Sequence, residues 1–411
     1  MKKLSLLGVA ALFVATFGFA TNTRVATMGG IADFLIDDSN IYGYPAWVNA
    51  YTGNAIGELG APTGSAFFAT GFGNFGVALQ RSALPRLVNT GIVNSGAPFP
   101  VGFDILPKLE GLYGIAFGPL GFGLDIEFAG NDISTDFPTG DTFDLKESKS
   151  ILGVRPGFKF SLGEEMFFDF ALDIHKYGWS YEEYDVNANK DIYKDKGNLF
   201  FGVDTRFFMP IGDVTFIPML HFNMGDGSWE KEVFTTADTT SEEIKSMDVT
   251  AGIGLNKTIF ENGTVLVGIR GGMRQETYTP GDTLSPTFTT FDKIKRITYT
   301  LPEIVFGAEI PVWKWLVGRV GFSKALLSRK QENTPQSGNY KDKSTTTSGF
   351  GAFGVPLDDA PFNLTFGGCA ELGDFVFDVQ IPNGFFFSGP YFISGTACAA
   401  AQASATYKFG K

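Results

Sequence analysis

The sequence has no long apolar run beyond its first nineteen residues, and this excludes a membrane protein built from helices. Each spanning helix needs about 20 consecutive apolar residues, and the one comparable stretch is Leu4–Phe19. Two lysines precede it, and Gly18-Phe19-Ala20 close it with small residues at the spacing of a cleavage site. The pattern predicts a cleaved signal peptide over residues 1–20 and therefore an exported protein.

Histidine and cysteine are scarce, and this argues against metal-binding and enzymatic functions. His175 and His221 are the two histidines, and neither lies in a metal-binding spacing or beside a Gly-x-Ser-x-Gly elbow. We therefore predict no metal site, no catalytic residues and no enzyme. Gly-rich triplets are not followed by a helix, so no nucleotide cofactor is expected. Cys369 and Cys398 leave open both a disulfide and two unpaired thiols.

Basic charge is also scarce. The formal net charge is −12, and no basic stripe interrupts the acidic composition. Proteins that bind nucleic acid need clustered Lys and Arg to contact phosphates. The composition therefore argues against a nucleic-acid partner.

Glycine, phenylalanine and alternating polarity are abundant. The 52 Gly and 43 Phe, with only 18% charged residues, favour one large β-barrel over several soluble domains. The clearest alternation lies in Ser150–Trp179, where two runs meet at the turn Leu162–Glu165. In the second run apolar residues such as Phe168 alternate with polar ones such as Asp169, so each strand has one apolar and one polar face.

Short turns and long polar loops alternate from Asn49 onward. The short turns are expected at Gly71–Asn74, Phe117–Leu120, Leu162–Glu165, Pro210–Asp213, Glu261–Gly263, Pro311–Lys314 and Gly373–Asp374. The long loops are expected at 82–107, 130–147, 181–196, 225–242, 280–295, 331–348 and 382–396. Short turns at one end and long loops at the other are typical of an outer-membrane barrel.

The same alternation predicts which side chains face the lumen. A charge facing lipid at the middle of a bilayer costs about 2–4 kcal/mol for Arg or Lys, so charged residues are assigned inward. The predicted lumen-lining residues are Asp125, Glu127, Asp169, Asp173, His175, Asp204, Arg206, His221, Arg270, Arg274 and Arg319. Pro302 is expected to mark a bulge that resets the alternation and turns Glu303 inward.

The segment before the barrel lacks the alternation and has a different set of residues. It contains Arg24, Met28, Gly29, Gly30, Asp37, Asp38, Asn40, Pro45 and Ala46 at spacings that resemble the N-terminus of FadL-like and PorV-like outer-membrane barrels. In that family the segment folds into the barrel as a hatch, so the resemblance implies a hatch here. Tyr44 stands where the family usually has Asn, and the hydrogen bonds of that Asn are not expected.

The runs between turns and loops number about sixteen, or fourteen if Asn49–Phe68 belongs to the hatch. The predicted fold class is all-β, a transmembrane antiparallel up-and-down β-barrel with an N-terminal hatch. The predicted domains are the signal peptide at 1–20, the hatch at 21–48 and the barrel at 49–411.

The chain closes with alternating aromatic residues. Tyr407 and Phe409 share one face of the expected last strand, Ala399–Phe409. This ending resembles the signal that the barrel-assembly machinery reads, which makes that machinery an expected partner.

The family resemblance also implies a function. It indicates a passive channel for small solutes, hydrophobic ones included, in the lipid of the outer membrane of a Gram-negative-type cell. The alternative is a PorV-like barrel that conducts nothing and serves as a scaffold or shuttle for secreted proteins. A soluble secreted adhesin and an envelope enzyme are the remaining alternatives.

Overall fold

The computed structural model describes most of the predicted barrel. The described residues are 22–30, 32–59, 63–79, 108–135, 145–163, 165–184, 190–233, 238–260, 263–279, 291–335, 342–348, 362–382 and 403–409. The predicted signal peptide and Cys398 lie outside these residues. Cys369 is buried and makes no disulfide with any described residue.

Eighteen strands and four short helical elements make up the described chain. The strands are β1 Asn54–Leu59, β2 Thr63–Thr70, β3 Gly73–Leu79, β4 Lys108–Phe117, β5 Leu120–Thr135, β6 Leu145–Ser161, β7 Phe167–Tyr184, β8 Lys190–Asp195, β9 Asn198–Ile211, β10 Val214–Val233, β11 Asp238–Ile259, β12 Gly263–Thr279, β13 Phe291–Trp313, β14 Leu316–Pro335, β15 Asp342–Ser348, β16 Phe362–Leu372, β17 Phe375–Pro382 and β18 Ala403–Lys408. The helices are α1 Asn22–Thr27 and α2 Asn40–Gly43, with 3₁₀ turns at Ala32–Phe34 and Pro45–Asn49.

Antiparallel pairing between neighbours closes these strands into a barrel. Sixteen described strands form the wall, whereas β8 and β15 extend its rim beside β7, β10 and β14. The last strand, β18, pairs with β1, and β1 lies against β2. The predicted up-and-down antiparallel barrel is therefore confirmed, with the higher of the two predicted strand numbers.

Short turns join the wall strands at one end, as predicted. They lie at Gly71–Phe72, Gly118–Pro119 and Gly373–Asp374, among others, whereas the turn expected at Pro311–Lys314 falls later, at Lys314–Trp315. Gly118, Gly212 and Gly373 adopt positive φ in these turns, a conformation that glycine reaches at no steric cost.

The strands run further toward the opposite end than the sequence predicted. A loop was expected over Gly225–Glu242, but β10 continues to Val233 and β11 begins at Asp238. This prediction was wrong because both faces of a strand are solvated beyond the apolar band, so no alternation of polarity marks it.

The wall separates polar from apolar side chains as the alternation predicted. On β7, Asp169 is fully buried in the interior while its neighbour Phe168 is 39% exposed on the outside. On the paired strands β11 and β12, the outward residues Ile253 and Ile269 lie directly opposite each other and are 44% and 48% exposed. The exposed apolar residues therefore form a continuous outer surface.

Pro302 interrupts the pairing of β13 with both neighbours, as predicted. The register shifts between Arg270 and Gly272 on one side and between Thr300 and Glu303 on the other. The shift turns Glu303 inward, where its carboxylate lies 2.5 Å from Arg270 Nε.

The N-terminal residues 22–53 fill part of the barrel interior. Their apolar side chains, including Met28, Phe34, Ile41 and Val48, are completely buried in a common core with inward residues of the wall. The helical part continues to Asn49, and β1 begins only at Asn54, a little beyond the boundary expected at residue 48. None of the helices in the described residues is both long and apolar enough to span a membrane.

The outer surface gives a direct test of this arrangement. Ile269→Arg would place a charge in the middle of the apolar band, and we expect it to cost about 2–4 kcal/mol of folding free energy in a bilayer. The measurement is equilibrium folding into phosphatidylcholine vesicles, followed by the gel shift between folded and unfolded barrel. Phe72→Arg, in the exposed turn between β2 and β3, serves as the control. Equal losses for both variants would contradict the orientation of β12.

Candidate functional site

The N-terminal segment owes its shape to glycines and to short polar side chains. Gly29 and Gly30 have φ of 97° and 84°, and the Gly30 amide donates to the Val25 carbonyl at 2.8 Å. This is the glycine-dependent C-terminal cap of α1. Before α2, the Asn40 side chain accepts from the Asp37 amide at 2.9 Å, and Asp37 accepts from the Ser39 amide at 3.0 Å. The Met-Gly-Gly and Asp-Asp-x-Asn elements therefore serve as turn and cap residues.

Arg24 fixes the beginning of the segment to the wall. Its guanidinium contacts Asp37 at 3.0 Å and forms two hydrogen bonds with Glu309 of β13, at 2.9 and 3.2 Å. Glu309 also accepts from Arg319 of β14 at 2.6 Å, and Arg319 pairs with Asp378 of β17. Because each charge has an opposite partner, this chain of ion pairs can remain buried.

Arg206 fixes the middle of the segment from the other side of the barrel. It is 1% exposed, and its Nε donates to Asp169 Oδ2 at 2.9 Å. Trp47 Nε1 donates to the same carboxylate oxygen at 2.8 Å. The Arg206 Nη1 reaches the Leu35 carbonyl at 3.0 Å, and its guanidinium lies over the Tyr44 ring at 4.4 Å. One wall arginine thus contacts both the backbone and an aromatic ring of the segment.

His221 of β10 makes a third link. Its Nε2 lies 3.0 Å from Asp33 Oδ2, and its Nδ1 contacts Asp204 of β9. Burial alone would favour the neutral acid of Asp33, but the charge and hydrogen bond of His221 outweigh burial and hold the pKa of Asp33 below its usual range. Asp33 is therefore the charged partner that the segment offers to this part of the wall.

The pKa of Asp38 is shifted in the opposite direction. Desolvation by burial, followed by the charge of the neighbouring Asp37, raises the pKa of Asp38 well above its usual value. Of the two adjacent acids, Asp37 has the partner Arg24. The acidic pair thus contributes one ion pair rather than two equal charges.

Wall glycines let the segment approach the barrel backbone closely. A Cβ on Gly123 would lie 2.2 Å from the Pro45 carbonyl carbon. On the opposite wall, a Cβ on Gly307 would lie 2.6 Å from the Met28 oxygen, and one on Gly321 would lie 2.3 Å from the Thr27 oxygen. Any larger residue at these positions would require the backbone to move, because these contacts are with backbone atoms.

A cavity of about 610 Å³ lies on the long-loop side of the segment. The segment contributes residues between Ala32 and Tyr44, and strands β4 to β12 contribute the rest. The acidic side chains that line it are Asp33, Glu127, Asp173, Asp204 and Asp248. The basic ones are Lys108, Arg155, Arg270 and Arg274, with His175 and His221 between them. The cavity is therefore polar and of mixed charge.

Most charges around the cavity are already paired. Arg155 lies 2.8 Å from Asp173, and it also donates to the Tyr42 carbonyl of the segment. His175 bridges Glu127 at 2.9 Å and Asp173 at 3.0 Å. The paired charges and polar side chains around the cavity could bind and position a polar molecule.

The predicted residues fall where the alternation placed them, although their roles stay predictions. Ten of the eleven predicted lumen residues either line the cavity or make the ion pairs described above, or both: Glu127, Asp169, Asp173, His175, Asp204, Arg206, His221, Arg270, Arg274 and Arg319. Arg274 contacts Glu276 at 2.8 Å. Asp125 is fully buried beside Glu127. Pro45 begins a 3₁₀ turn that also contains the buried Ala46. Tyr407 is exposed on the outer face of β18, and Phe409 follows it.

Several residues of the site were missed in the sequence. Lys108, Glu110, Arg155, Glu309 and Asp378 all face inward and make ion pairs. Arg155 could have been found, because it shares the two-residue phase of its strand with the buried Ile151 and Gly153. The contacts of the wall glycines had no sequence signal, since they depend on which strand lies beside the segment.

Searches against known proteins give matches among solved structures. The toluene transporter TodX from Pseudomonas putida matches at 10% identity and a TM-score of 0.41, over 96% of this chain and 99% of that one. A FadL homologue from Pseudomonas aeruginosa matches at 12% identity and a TM-score of 0.41, over 96% and 100%. No protein-family model and no curated protein matches the chain. At such low identity, the likeness carries no ligand or residue role from one chain to the other.

The close approach of the segment to the wall can be tested with one methyl group. Gly123→Ala forces a Cβ against the Pro45 backbone, and we expect it to cost about 1–3 kcal/mol as overpacking. Gly111→Ala on the adjacent β4 is the matched control, because a Cβ there meets nothing within 4 Å. The measurements are thermal unfolding in detergent and the rate of trypsin cleavage after Arg24. Equal stability and equal cleavage in the two variants would contradict the packing described.

Proposed function

We propose that this protein is an outer-membrane channel through which small solutes cross passively, with residues 22–53 acting as its hatch. The observation that supports this most is the position of the polar cavity, which lies inside a closed barrel and is bounded on one side by the N-terminal segment. A solute that follows the barrel axis would meet the cavity first and the segment next. Movement of the segment would then control passage.

The wall supports a location in a membrane. Neighbouring strands of the described wall pair with each other, and β1 lies against β2 where the circle closes, so the wall presents no open sheet edge to a lipid environment. Outward residues such as Ile253 and Ile269 are apolar and exposed, whereas the inward residues are polar. Apolar outside and polar inside is the arrangement of outer-membrane barrels. Lipid and the barrel-assembly machinery are the partners that this location implies.

The charges that line the cavity also indicate which class of solute it would favour. A hydrophobic solute would replace water around the charged groups without giving them new partners, which is unfavourable. A small solute with its own polar groups would keep those charged groups solvated. The cavity therefore favours polar solutes over hydrocarbons, within the range of small solutes that the sequence allowed.

A second candidate is a barrel that conducts nothing and acts as a scaffold or shuttle for secreted proteins. The specific observation in its favour is how firmly the segment is held, with ion pairs from Arg24 to Glu309, from Asp33 to His221, and the Arg206 contacts between them. A plug of that kind could be permanent. Solute flux separates the two candidates.

The link between Asp33 and His221 can be weakened with a single substitution in the segment. Asp33→Asn keeps the size of the side chain but removes its charge, so the closed state should lose stability. Each 1.4 kcal/mol lost raises the open population about tenfold, and we expect faster entry of glycine and arabinose into proteoliposomes, measured by swelling. Asp213→Asn makes the same change in the turn between β9 and β10, outside the barrel, and should swell at the wild-type rate.

Two results would argue against the hatch channel. Equal swelling in both variants, above the rate of empty liposomes, would mean that the segment does not control passage. An absence of swelling in every form would favour the scaffold.

A further inference from the structure

Three buried carboxylates converge on the inner wall beside the cavity. Glu110 on β4 lies directly opposite Glu127 on β5, and Asp125 is two residues before Glu127 on the same face. One carboxylate oxygen of each lies within 4.8 Å of the other two. Since strand pairing creates this cluster, the spacing of the residues along the chain gave no indication of it.

The cations nearby do not serve all three acids. The Lys108 ammonium lies 2.6 Å from Glu110 and 2.7 Å from Glu127, and Glu127 also contacts His175. Asp125 is 0% exposed, and neither of its carboxylate oxygens has a hydrogen-bond partner among the described residues. It is therefore a fully buried acid, aimed into an acidic cluster, with both oxygens unused.

The energetic cost of burying such a carboxylate has to be offset. Buried polar atoms are almost always hydrogen-bonded, and an uncompensated carboxylate is far more costly to bury than a neutral group. Arg155 lies opposite Asp125 on β6 and offsets part of its charge, but no hydrogen bond reaches either oxygen of Asp125. Two things could complete the compensation: a proton, which would make Asp125 a neutral acid, or a metal cation shared with its neighbours. The convergence of three carboxylates on one point favours a cation, because one ion can coordinate all three carboxylates whereas a proton joins at most two.

We propose that Glu110, Asp125 and Glu127 bind a divalent cation of the Ca²⁺ type. Ca²⁺ takes six to eight oxygen ligands and accepts carboxylates in one- or two-oxygen geometry. Three carboxylates can together supply up to about six oxygen ligands. The adjoining cavity, which Lys108 and Glu127 line, gives the site access from water. The Lys108 ammonium, which now bridges two of the acids, has the same cavity to move into. The site would join β4 to β5 behind the cavity. This proposal does not depend on whether the barrel conducts solutes.

The test uses the full-length barrel in detergent, stripped with EDTA and then titrated with CaCl₂. We expect the wild type to bind one Ca²⁺ per chain in equilibrium dialysis with ⁴⁵Ca²⁺ and its Tm to rise as the site fills. Asp125→Asn should lose both effects, because the amide keeps the shape of the carboxyl group but has no charge. Asp248→Asn removes a cavity acid outside the cluster and should keep both.

Asparagine has the shape of a protonated aspartate, so the same variant separates the two explanations. If the wild type binds no Ca²⁺ and Asp125→Asn is as stable as the wild type, Asp125 is a neutral acid and the proposal is wrong. Equal Ca²⁺ binding by wild type and Asp125→Asn would also overturn it. If Asp125→Asn does not fold, Glu110→Gln replaces it, and undiminished binding by that variant would have the same meaning.

Discussion

Charge inside the barrel must be paired, and this constraint organises the structure. The strands turn their polar faces inward, where bulk water is limited and an isolated charge is costly. The wall pairs many of these charges itself, as Arg319 with Glu309, His221 with Asp204, and Arg206 with Asp169. The N-terminal segment brings Arg24 to Glu309, Asp33 to His221, and the Trp47 indole to Asp169. The segment therefore adds further charge partners to those of the wall.

Close packing complements these polar contacts. Glycines on both sides of the barrel leave room for the backbone of the segment, and Phe34 lies against the wall at Gly254 and Gly268. Such contacts are specific because one added methyl group would collide with the backbone of the segment or with the buried side chain of Phe34. A segment held by both charge and shape has a small number of ways to move, and concerted loss of several ion pairs would be needed to release it.

Much of the architecture could be predicted from alternation alone, since one rule fixes strand faces, turns and the inward charges. The bulge at Pro302 was predictable for the same reason, because Glu303 would otherwise face outward. The ion-pair partners were not, because they depend on strand register. Arg24 and Glu309 are far apart in sequence and meet only once the barrel has closed. The extension of β10 and β11 beyond the apolar band was not predicted, because both faces of a strand are solvated there and apolar residues do not alternate with polar ones.

We propose that the N-terminal segment closes an otherwise open barrel. Single-channel conductance in a planar bilayer tests it most directly, with the intact protein compared with a form that lacks Thr21–Ala46. We predict that the intact protein is silent or opens briefly, and that the shortened form conducts steadily at a higher level. Steady conductance of the same size in both forms would contradict the claim, and so would silence in both.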